Sequence, residues 1–390
     1  MSCKVFLYIV AWSVYWMQGG FIPRGAFFTK IICFVLLLIS LYHLIFVNFK
    51  FFLPRYFIGL NVLLGLFSFY GVLALMGVTS HPLPEEYLKT ILISFLPIYS
   101  FYFYTKKGLI KSENLNIYIV LFFLFAFLKY YGNIYSKILL SVSGVADFTN
   151  NAGYLFLPLI ATCVFFNKKI PQYITLCICL IIAIESSKRG VMVVCFICLF
   201  WFLNNSLRGS NVKTKIAVVL FFVALFFVGY VTYERHLLKS YAFQNKMHDL
   251  RYGDGSGRGG LYMVFLSHFW DNTNAFQFVF GLGANATLSI SSHYAHNDWF
   301  EIAVNQGLLG LGIYFLYFCL FFRECVSQGY NSKDRLALQF IFIICFMKTF
   351  FSMSYGDMTT ATCFVLGYCL AKENKNEEKN TKNLLAFKIQ

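Results

Sequence analysis

Three short polar motifs interrupt an otherwise apolar sequence, and the first lies at residues 185–190, Glu-Ser-Ser-Lys-Arg-Gly. It places Lys188 and Arg189 between two short apolar stretches, where ionisable side chains are costly and therefore candidates for function. The guanidinium of Arg189 offers a planar fork of donors that fits phosphate oxygens. The motif therefore predicts an anion site, with a simple turn whose Lys and Arg reach the lipid headgroups as the alternative.

The second motif, at residues 251–260, reads Arg-Tyr-Gly-Asp-Gly-Ser-Gly-Arg-Gly-Gly. A glycine-rich loop before a helix can direct backbone N–H groups toward a phosphate. The motif lacks the Gly-Lys-Ser/Thr ending and the preceding strand of nucleotide-binding loops. A flexible linker would show a similar composition.

The third motif, at residues 293–301, contains His296, Asn297, Asp298 and Glu301. A histidine at a membrane surface is suited to carry a proton, with Asp298 or Glu301 in support. Asn297 and Asp298 also suit the cap and first turn of a helix at 296–306, in which His296 and Phe300 would share a face. The spacing of the acidic and histidine side chains matches no strong metal pattern, so no metal is predicted.

Weaker candidates are Asn150 and Asn151, the 233–235 segment and Asp357. At each of these positions, helix capping or charge pairing is the favoured interpretation. We make no prediction of chemistry there.

The composition of the 390 residues, 59% hydrophobic and 13% charged, indicates a protein that lies mainly in lipid. Soluble domains carry about 25% charged residues. A net charge of +15 would suggest a polyanionic partner for a soluble chain, but in a membrane protein Lys and Arg mainly set the topology. No cysteine lies between Cys198 and Cys319, so no disulfide framework is predicted for the polar segment there, and Cys195 and Cys198 are expected to pack as small apolar residues.

Apolar runs predict twelve membrane spans, and helices are the expected spanning form. The predicted spans are 6–21, 28–48, 56–78, 87–104, 114–132, 152–167, 170–184, 190–205, 214–232, 303–322, 335–352 and 356–371. The fold class is therefore an all-α polytopic membrane protein. The spans 170–184 and 190–205 are short and could be tilted or broken.

The distribution of Lys and Arg predicts that both termini lie in the cytoplasm, because cytoplasmic loops are enriched in these residues. The chain then divides into spans at 1–232, a long extracytoplasmic segment at 233–302, further spans at 303–371 and a charged cytoplasmic tail at 372–390. Residues 236–247 and 260–270 are candidate short helices within the long segment. Five of the seven histidines also lie in that segment: His236, His248, His268, His293 and His296.

The three motifs, in this order, resemble those of the O-antigen polymerase and O-antigen ligase superfamily. The resemblance rests on residues 187–190 (Ser-Lys-Arg-Gly), 255–258 (Gly-Ser-Gly-Arg), and His296-Asn297 with Glu301 and the Gly307–Gly310 pair. It covers about 145–325, where the two asparagines at 150–151 also fit, and it agrees with twelve spans and one large loop.

The resemblance implies a GT-C-like glycosyltransferase of the bacterial inner membrane, which takes a glycan from undecaprenyl diphosphate on the periplasmic side. Arg189 and Arg258 would bind the diphosphate, and His296 would be the catalytic histidine. Six further residues would bind the substrate: Lys188, Arg251, Gly257, Asn297, Asp298 and Glu301. No cofactor, metal or nucleic acid is implied, and a membrane-bound chain-length regulator is a possible partner.

The glycine-crowded second motif is more similar to polymerases, which extend a lipid-linked repeat unit, than to ligases, which transfer the glycan to lipid A–core. A transporter of anionic lipids would also fit twelve spans. Transporters, however, usually show related halves with charges at the midplane, and here the charges gather at one surface.

Overall fold

The computed structural model describes residues 2–19, 21–23, 25–79, 82–140, 150–186, 188–207, 258–271 and 273–373. It also describes five single residues: Val212, Ile216, Val223, Phe227 and Val231. The secondary structure of this part of the chain is helical, without a named strand. The predicted span at 214–232, the predicted helix at 236–247, the 233–235 candidate, and Arg251 and Gly257 fall outside it or are represented only by single residues.

Fourteen α-helices are described, numbered here in chain order. They are α1 (Cys3–Trp16), α2 (Phe27–Lys50), α3 (Arg55–Leu75), α4 (Pro84–Lys106), α5 (Leu115–Leu140), α6 (Leu157–Thr162), α7 (Lys169–Glu185), α8 (Arg189–Leu207), α9 (Arg258–Asp271), α10 (Ala275–Phe280), α11 (Ala286–Ser291), α12 (Asp298–Val326), α13 (Ser332–Phe351) and α14 (Thr360–Leu370). Short 3-10 helices at Asn151–Phe156 and Cys163–Phe165 flank α6, so the predicted span at 152–167 is broken into three pieces.

Five of the described helical segments are long and apolar enough to cross a membrane, which supports an all-helical membrane protein. They are α2, α3, α8, α12 and the Ser112–Ser136 segment, which contains most of α5. Three apolar segments are shorter: α1, Asn151–Phe165 and α14. Helices α4, α7 and α13 also coincide with predicted spans but do not meet the same length and hydropathy criteria, so the number twelve remains a prediction.

Helix α2 shows how the apolar residues are divided between the interior and the surface. Phe27, Ile31, Phe34 and Leu38 recur at helical spacing on one face, and each is 49% exposed or more. Cys33, Leu36, Ser40, His43 and Val47 lie on the buried side. An apolar face that is left exposed to this extent is suited to lipid rather than to water.

Part of the long polar segment forms a helical layer over one end of the bundle, where α3 ends and α4 begins. The predicted helix at 260–270 is confirmed as α9, and the unpredicted α10 begins at a capping box formed by Asn274 and Gln277. Asn285 fastens this layer to the bundle by donating to the carbonyls of Pro82 (2.9 Å) and Leu83 (3.0 Å). We call this end of the bundle the site end.

Helix α12 is divided at Gly307, whose backbone (φ 64°, ψ −160°) is not helical. The break leaves carbonyl groups of the preceding turn without helical partners. The carbonyls of Val304 and Asn305 instead accept hydrogen bonds from the N–H groups of Leu282 and Gly283, both at 2.9 Å. Residues 298–306 therefore belong to the layer at the site end, and the longer apolar part of α12 follows the break.

Replacing Gly307 with alanine is expected to destabilise the protein strongly. The backbone conformation is accessible essentially only to glycine and costs other residues about 1–3 kcal/mol. A Cβ atom would also lie 2.5 Å from the nitrogen of Gly281 and from the carbonyl oxygen of Val279. The apparent Tm of the detergent-solubilised variant should fall by several degrees, whereas Gly312→Ala, where a Cβ meets nothing within 4 Å, should change it little. Equal Tm values for the two variants would contradict this interpretation.

Candidate functional site

The last turn of α13 joins the first and third motifs. On one side, the indole N–H of Trp299 donates to the hydroxyl of Thr349 at 2.9 Å. On the other side, Gly190 packs so closely that a Cβ there would lie 2.8 Å from Cβ of Phe351 and 2.5 Å from the hydroxyl of Tyr154. Only glycine permits this approach, so the start of α8 and the start of α12 share the end of α13 as a support.

Asp298 fastens the start of α12 to the connection between α13 and α14. Its buried carboxylate accepts hydrogen bonds from the Tyr314 hydroxyl (2.5 Å) and from the N–H groups of Ser354 (2.9 Å) and Tyr355 (3.3 Å). Because two backbone donors and one hydroxyl meet at this carboxylate, Asp298 fixes a loop as well as beginning a helix.

His296 lies immediately before this helix, exposed to solvent. Asn297 is the N-cap, as predicted, and its side chain accepts from the N–H groups of Trp299 (2.9 Å) and Phe300 (3.4 Å). The helix begins at Asp298 rather than at His296, whose φ is +52°. The prediction that His296 and Phe300 share a helix face was therefore wrong, because the cap turns the chain before the helix starts.

Glu301 fixes the segment before His296. Its buried carboxylate accepts hydrogen bonds from the Thr287 hydroxyl, from the N–H of Ala295 at 2.8 Å and from the Asn305 amide at 3.3 Å. Glu301 thus holds α11 and the residue next to His296 in one arrangement. In this structure the carboxylates of Asp298 and Glu301 face protein donors and are not exposed.

Arg189 is the first residue of α8, and Lys188 directly precedes it. Both side chains are partly exposed. The N–H groups in the first turn of a helix carry partial positive charge, and the two cationic side chains add to it. The start of α8 is therefore the kind of environment that favours an anion.

Arg258 is likewise the first residue of its helix, α9. One turn later, the ring of Tyr262 stacks on Phe300, with centroids 4.6 Å apart. Phe265 and Ala295 lie in the same buried apolar cluster. Since a helix rises about 1.5 Å per residue, the backbone of Arg258 lies within about one turn of the contacts that hold the His296 segment.

Asn150 has the capping role that was the favoured interpretation. Its side chain accepts from the N–H of Ala152 (3.0 Å) and donates to the carbonyl of Tyr130 (3.0 Å). Its backbone N–H donates to the carbonyl of Ser186 at 3.0 Å, which connects this segment with the turn before Lys188.

Lys348 lies inside the predicted span at 335–352 and outside the three motifs, yet it is a structural residue of the site. Its buried ammonium contacts the Asp357 carboxylate at 2.7 Å and carbonyl at 2.9 Å, and it lies 5.2 Å from the centre of the Tyr154 ring. The pairing predicted as the more probable role of Asp357 is thus confirmed. A lone lysine in a predicted span was the available signal, because such a residue normally requires a partner.

A cavity of about 1580 Å³ opens beside Lys188, bounded by the end of α1, the starts of α2 and α4, and α5. Glu86 lies on its wall. Burial raises the pKa of the Tyr294 phenol above its ordinary value, and the carboxylates of Glu301 and Glu86 add to this effect. The chain just before Glu86 contacts the layer that carries His296, because Asn285 donates to the carbonyls of Pro82 and Leu83.

Residues 174–315 match a family model described as O-antigen ligase. This stretch of the chain is similar to the O-antigen ligase family. The matched stretch begins in α7 and ends in α12, so it contains Arg189, Arg258 and His296, and it confirms the motif-based resemblance to the O-antigen ligase and polymerase superfamily. No curated protein matches the chain.

The O-antigen ligase match covers just over a third of the sequence. It includes the starts of α8, α9 and α12 but not Lys348, Asp357 or most of the cavity wall. The contacts described above therefore show that residues outside the matched stretch support the residues inside it.

Proposed function

We propose that the protein is an O-antigen polymerase. It joins undecaprenyl-diphosphate-linked repeat units into polysaccharide at the periplasmic face of the bacterial inner membrane. In this proposal the chain has twelve spans in a GT-C-like arrangement, both termini are cytoplasmic, and the site end faces the periplasm. The substrates reach the site from the bilayer, and a chain-length regulator would act as a separate membrane partner.

The observation that carries the proposal is the shared support at the end of α13. It brings the start of α8, with Lys188 and Arg189, to the same end of the bundle as the His296 segment. The packing of Tyr262 on Phe300 adds the start of α9, with Arg258. Two arginines that each begin a helix suit the two phosphates of a lipid diphosphate.

The proposed reaction is transfer of a glycan to a hydroxyl group. The acceptor oxygen bonds to the anomeric carbon of the donor, the bond from that carbon to the diphosphate oxygen breaks, and its electron pair leaves with the diphosphate. Arg189 and Arg258 stabilise the charge that develops there. His296 takes the proton from the acceptor hydroxyl and later returns it to solvent or to the leaving group.

The remaining predicted residues have supporting roles in this proposal. Lys188, Arg251 and the Gly257 backbone contribute to diphosphate binding. Asn297 caps the helix after the turn that exposes His296. Asp298 and Glu301 hold that turn in place through hydrogen bonds to neighbouring segments. Because both carboxylates are buried and accept hydrogen bonds from the protein, Asp298 and Glu301 are assigned to positioning the His296 segment and not to contact with the substrate.

A ligase is the second candidate, because the matched family model is described as O-antigen ligase. Deleting the gene distinguishes the two functions. Loss of a polymerase leaves lipopolysaccharide that carries a single repeat unit, whereas loss of a ligase leaves lipid A–core without any repeat.

The direct test uses the purified full-length protein and undecaprenyl-diphosphate-linked repeat units from the host. Polymer formation without any added protein is the expected result. Transport of the lipid-linked units across a vesicle membrane, without polymer, would instead support the transporter alternative and overturn the proposal.

Replacing His296 is expected to lower the polymerisation rate by roughly 10²–10⁴-fold, the usual contribution of a general base. We expect this for both His296→Ala and His296→Asn. The asparagine variant is the sharper test, because asparagine tolerates a positive φ and should keep the turn intact. His293→Ala, an exposed histidine three residues earlier, is the control. A small effect in His296→Asn would reduce the role of His296 to positioning.

A further inference from the structure

The cavity beside Lys188 has a mixed polar lining for which the diphosphate site gives no reason. Carboxylates are present at Glu85 and Glu86, amides at Asn133 and Asn151, and a hydroxyl at Ser136. Carboxylates and amides together suit a ligand that is rich in hydroxyl groups. Their oxygens accept hydrogen bonds from O–H groups, and the amide nitrogens donate to hydroxyl oxygens. A cavity that bound only phosphate would not be expected to place carboxylates on its wall.

Aromatic rings complete this lining. Tyr15, Trp16 and Tyr154 border the cavity, and the first two form an edge contact with centroids 5.8 Å apart. Aromatic rings offer flat apolar faces together with polar edges, which suits the C–H faces of sugar rings. Its volume also exceeds the roughly 300–1,000 Å³ typical of clefts for small ligands, so the cavity has room for several sugar rings.

One side of the cavity meets the surface that we assign to lipid. Phe34 and Leu37 of α2 line it, and Phe34 is 64% exposed on the same face as Phe27 and Leu38. A ligand anchored in the bilayer can therefore lie with its lipid along α2 and its headgroup in the cavity.

Lysines occupy the polar border. Lys30, Lys89, Lys129 and Lys188 lie around the cavity, and the buried Lys348 pairs with Asp357 on its wall. Lys129 also donates to the carbonyl of Gln18, which connects α5 with the chain after α1. Lysines beside a lipid-facing surface favour a ligand that carries phosphate, whereas the carboxylates and amides favour its sugars.

We propose that this cavity binds the oligosaccharide of a lipid-diphosphate-linked substrate, with the diphosphate toward Lys188 and the lipid along α2. This inference rests on the proposed function and adds the place where the repeat-unit sugars are held. The start of α4, which carries Glu86, packs against the layer that carries His296, because Gln306 donates to the Tyr87 hydroxyl at 2.7 Å. The cavity therefore opens beside the layer that holds the predicted base.

The test compares binding of two probes to the purified full-length protein in nanodiscs. One probe is sugar-free undecaprenyl diphosphate, and the other is the same lipid carrying the repeat unit, isolated from a strain that lacks this gene. The free repeat-unit oligosaccharide, released by mild acid, is a third arm that separates recognition of sugar from recognition of lipid.

Trp16→Ala and Asn151→Trp should each weaken binding of the sugar-bearing lipid by about tenfold, the effect of losing one well-packed contact. Binding of the sugar-free lipid should stay unchanged. Asn151 is exposed, so a tryptophan there can fill the cavity without entering the protein core. Glu85→Gln should also weaken binding of the sugar-bearing lipid. It keeps the size of an exposed side chain, so it carries little risk to folding.

The controls are Trp270→Ala, an exposed tryptophan of α9, and Glu113→Gln at the other end of the bundle. Equal weakening of both lipids in the cavity variants, or no weakening of either, overturns the inference. Sugar-dependent binding without polymer formation would refute the polymerase and leave the cavity assignment intact. Polymer formation together with unaltered binding in the cavity variants would refute the cavity assignment and leave the polymerase proposal intact.

Discussion

Replacing either Arg189 or Arg258 with alanine is expected to abolish detectable polysaccharide while leaving the protein in the membrane. Each guanidinium is proposed to stabilise charge on the leaving diphosphate, and loss of one such preorganised donor typically costs about 10²–10³-fold in rate. Both residues begin a helix, and alanine is a good helix former, so the fold should survive. The measurements are polymer length on gels and the amount of protein in the membrane fraction.

Lysine at these positions should restore only part of the activity, because an ammonium group cannot form the paired contacts of a guanidinium. Arg323→Ala is the matched control, since Arg323 is exposed near the other end of α12. We expect it to make polymer of normal length. Near-normal polymer in Arg189→Ala or Arg258→Ala would count against the diphosphate role of that residue.

Binding measurements separate the two arginines from the cavity. Arg189→Ala should weaken binding of the sugar-free and sugar-bearing lipids to the same extent, because it acts on the diphosphate that they share. Variants of the cavity should affect only the sugar-bearing lipid. This difference allows the two sites to be tested in the same preparation.

Replacing Asp298 with asparagine is expected to lower both the stability and the activity of the protein, and the loss of activity arises through structure. The Asp298 carboxylate now accepts from the Tyr314 hydroxyl and from the backbone N–H groups of Ser354 and Tyr355. An asparagine would replace one of its two acceptor oxygens with an NH₂ group, which cannot accept from these donors. Each buried donor left without an acceptor costs about 1–3 kcal/mol. We expect a Tm lowered by several degrees and loss of polymer, because the start of α12 separates from the loop that also contains Asp357.

Two variants show whether this interpretation is correct. Tyr314→Phe removes one of the donors together with its need for an acceptor, so it should be clearly milder than Asp298→Asn. Asp271→Asn, an exposed position at the end of α9, should leave Tm and polymer unchanged. If Asp298→Asn retained a normal Tm but lost polymer, Asp298 would instead have a direct role in the reaction.

Much of the architecture followed from the sequence because the signals are local. Apolar runs predicted the positions of α2, α3, α8 and α12 without knowledge of their neighbours, since a membrane requires length and hydropathy. The cap at Asn297 and the helix α9 were also predicted from short patterns. Two Gly- and Arg-containing motifs and a third with His296, Asn297 and Glu301 were sufficient to indicate the superfamily, which the match over 174–315 confirms.

Local patterns could not show which helix ends meet. The end of α13 supports both Gly190 and Trp299, yet 161 positions separate Gly190 from Phe351 in the numbering. The pairing of Lys348 with Asp357, and the three donors at Asp298, also depend on contacts between distant segments. Such contacts leave no periodic trace, because one partner alone resembles an ordinary polar residue in a loop or a span.

The polar motifs at 185–190 and 293–301 thus determined the kind of chemistry, since a guanidinium suits phosphate and an imidazole suits a proton wherever they lie. The tertiary structure decided how these groups are supported and which space opens beside them. Gly307 illustrates the difference: its place in the sequence marks a motif, but only the folded chain shows that the break there lets the Leu282–Gly283 backbone bond to α12. Close approach of two backbones is set by packing in three dimensions, which is why it had to be found in the structure.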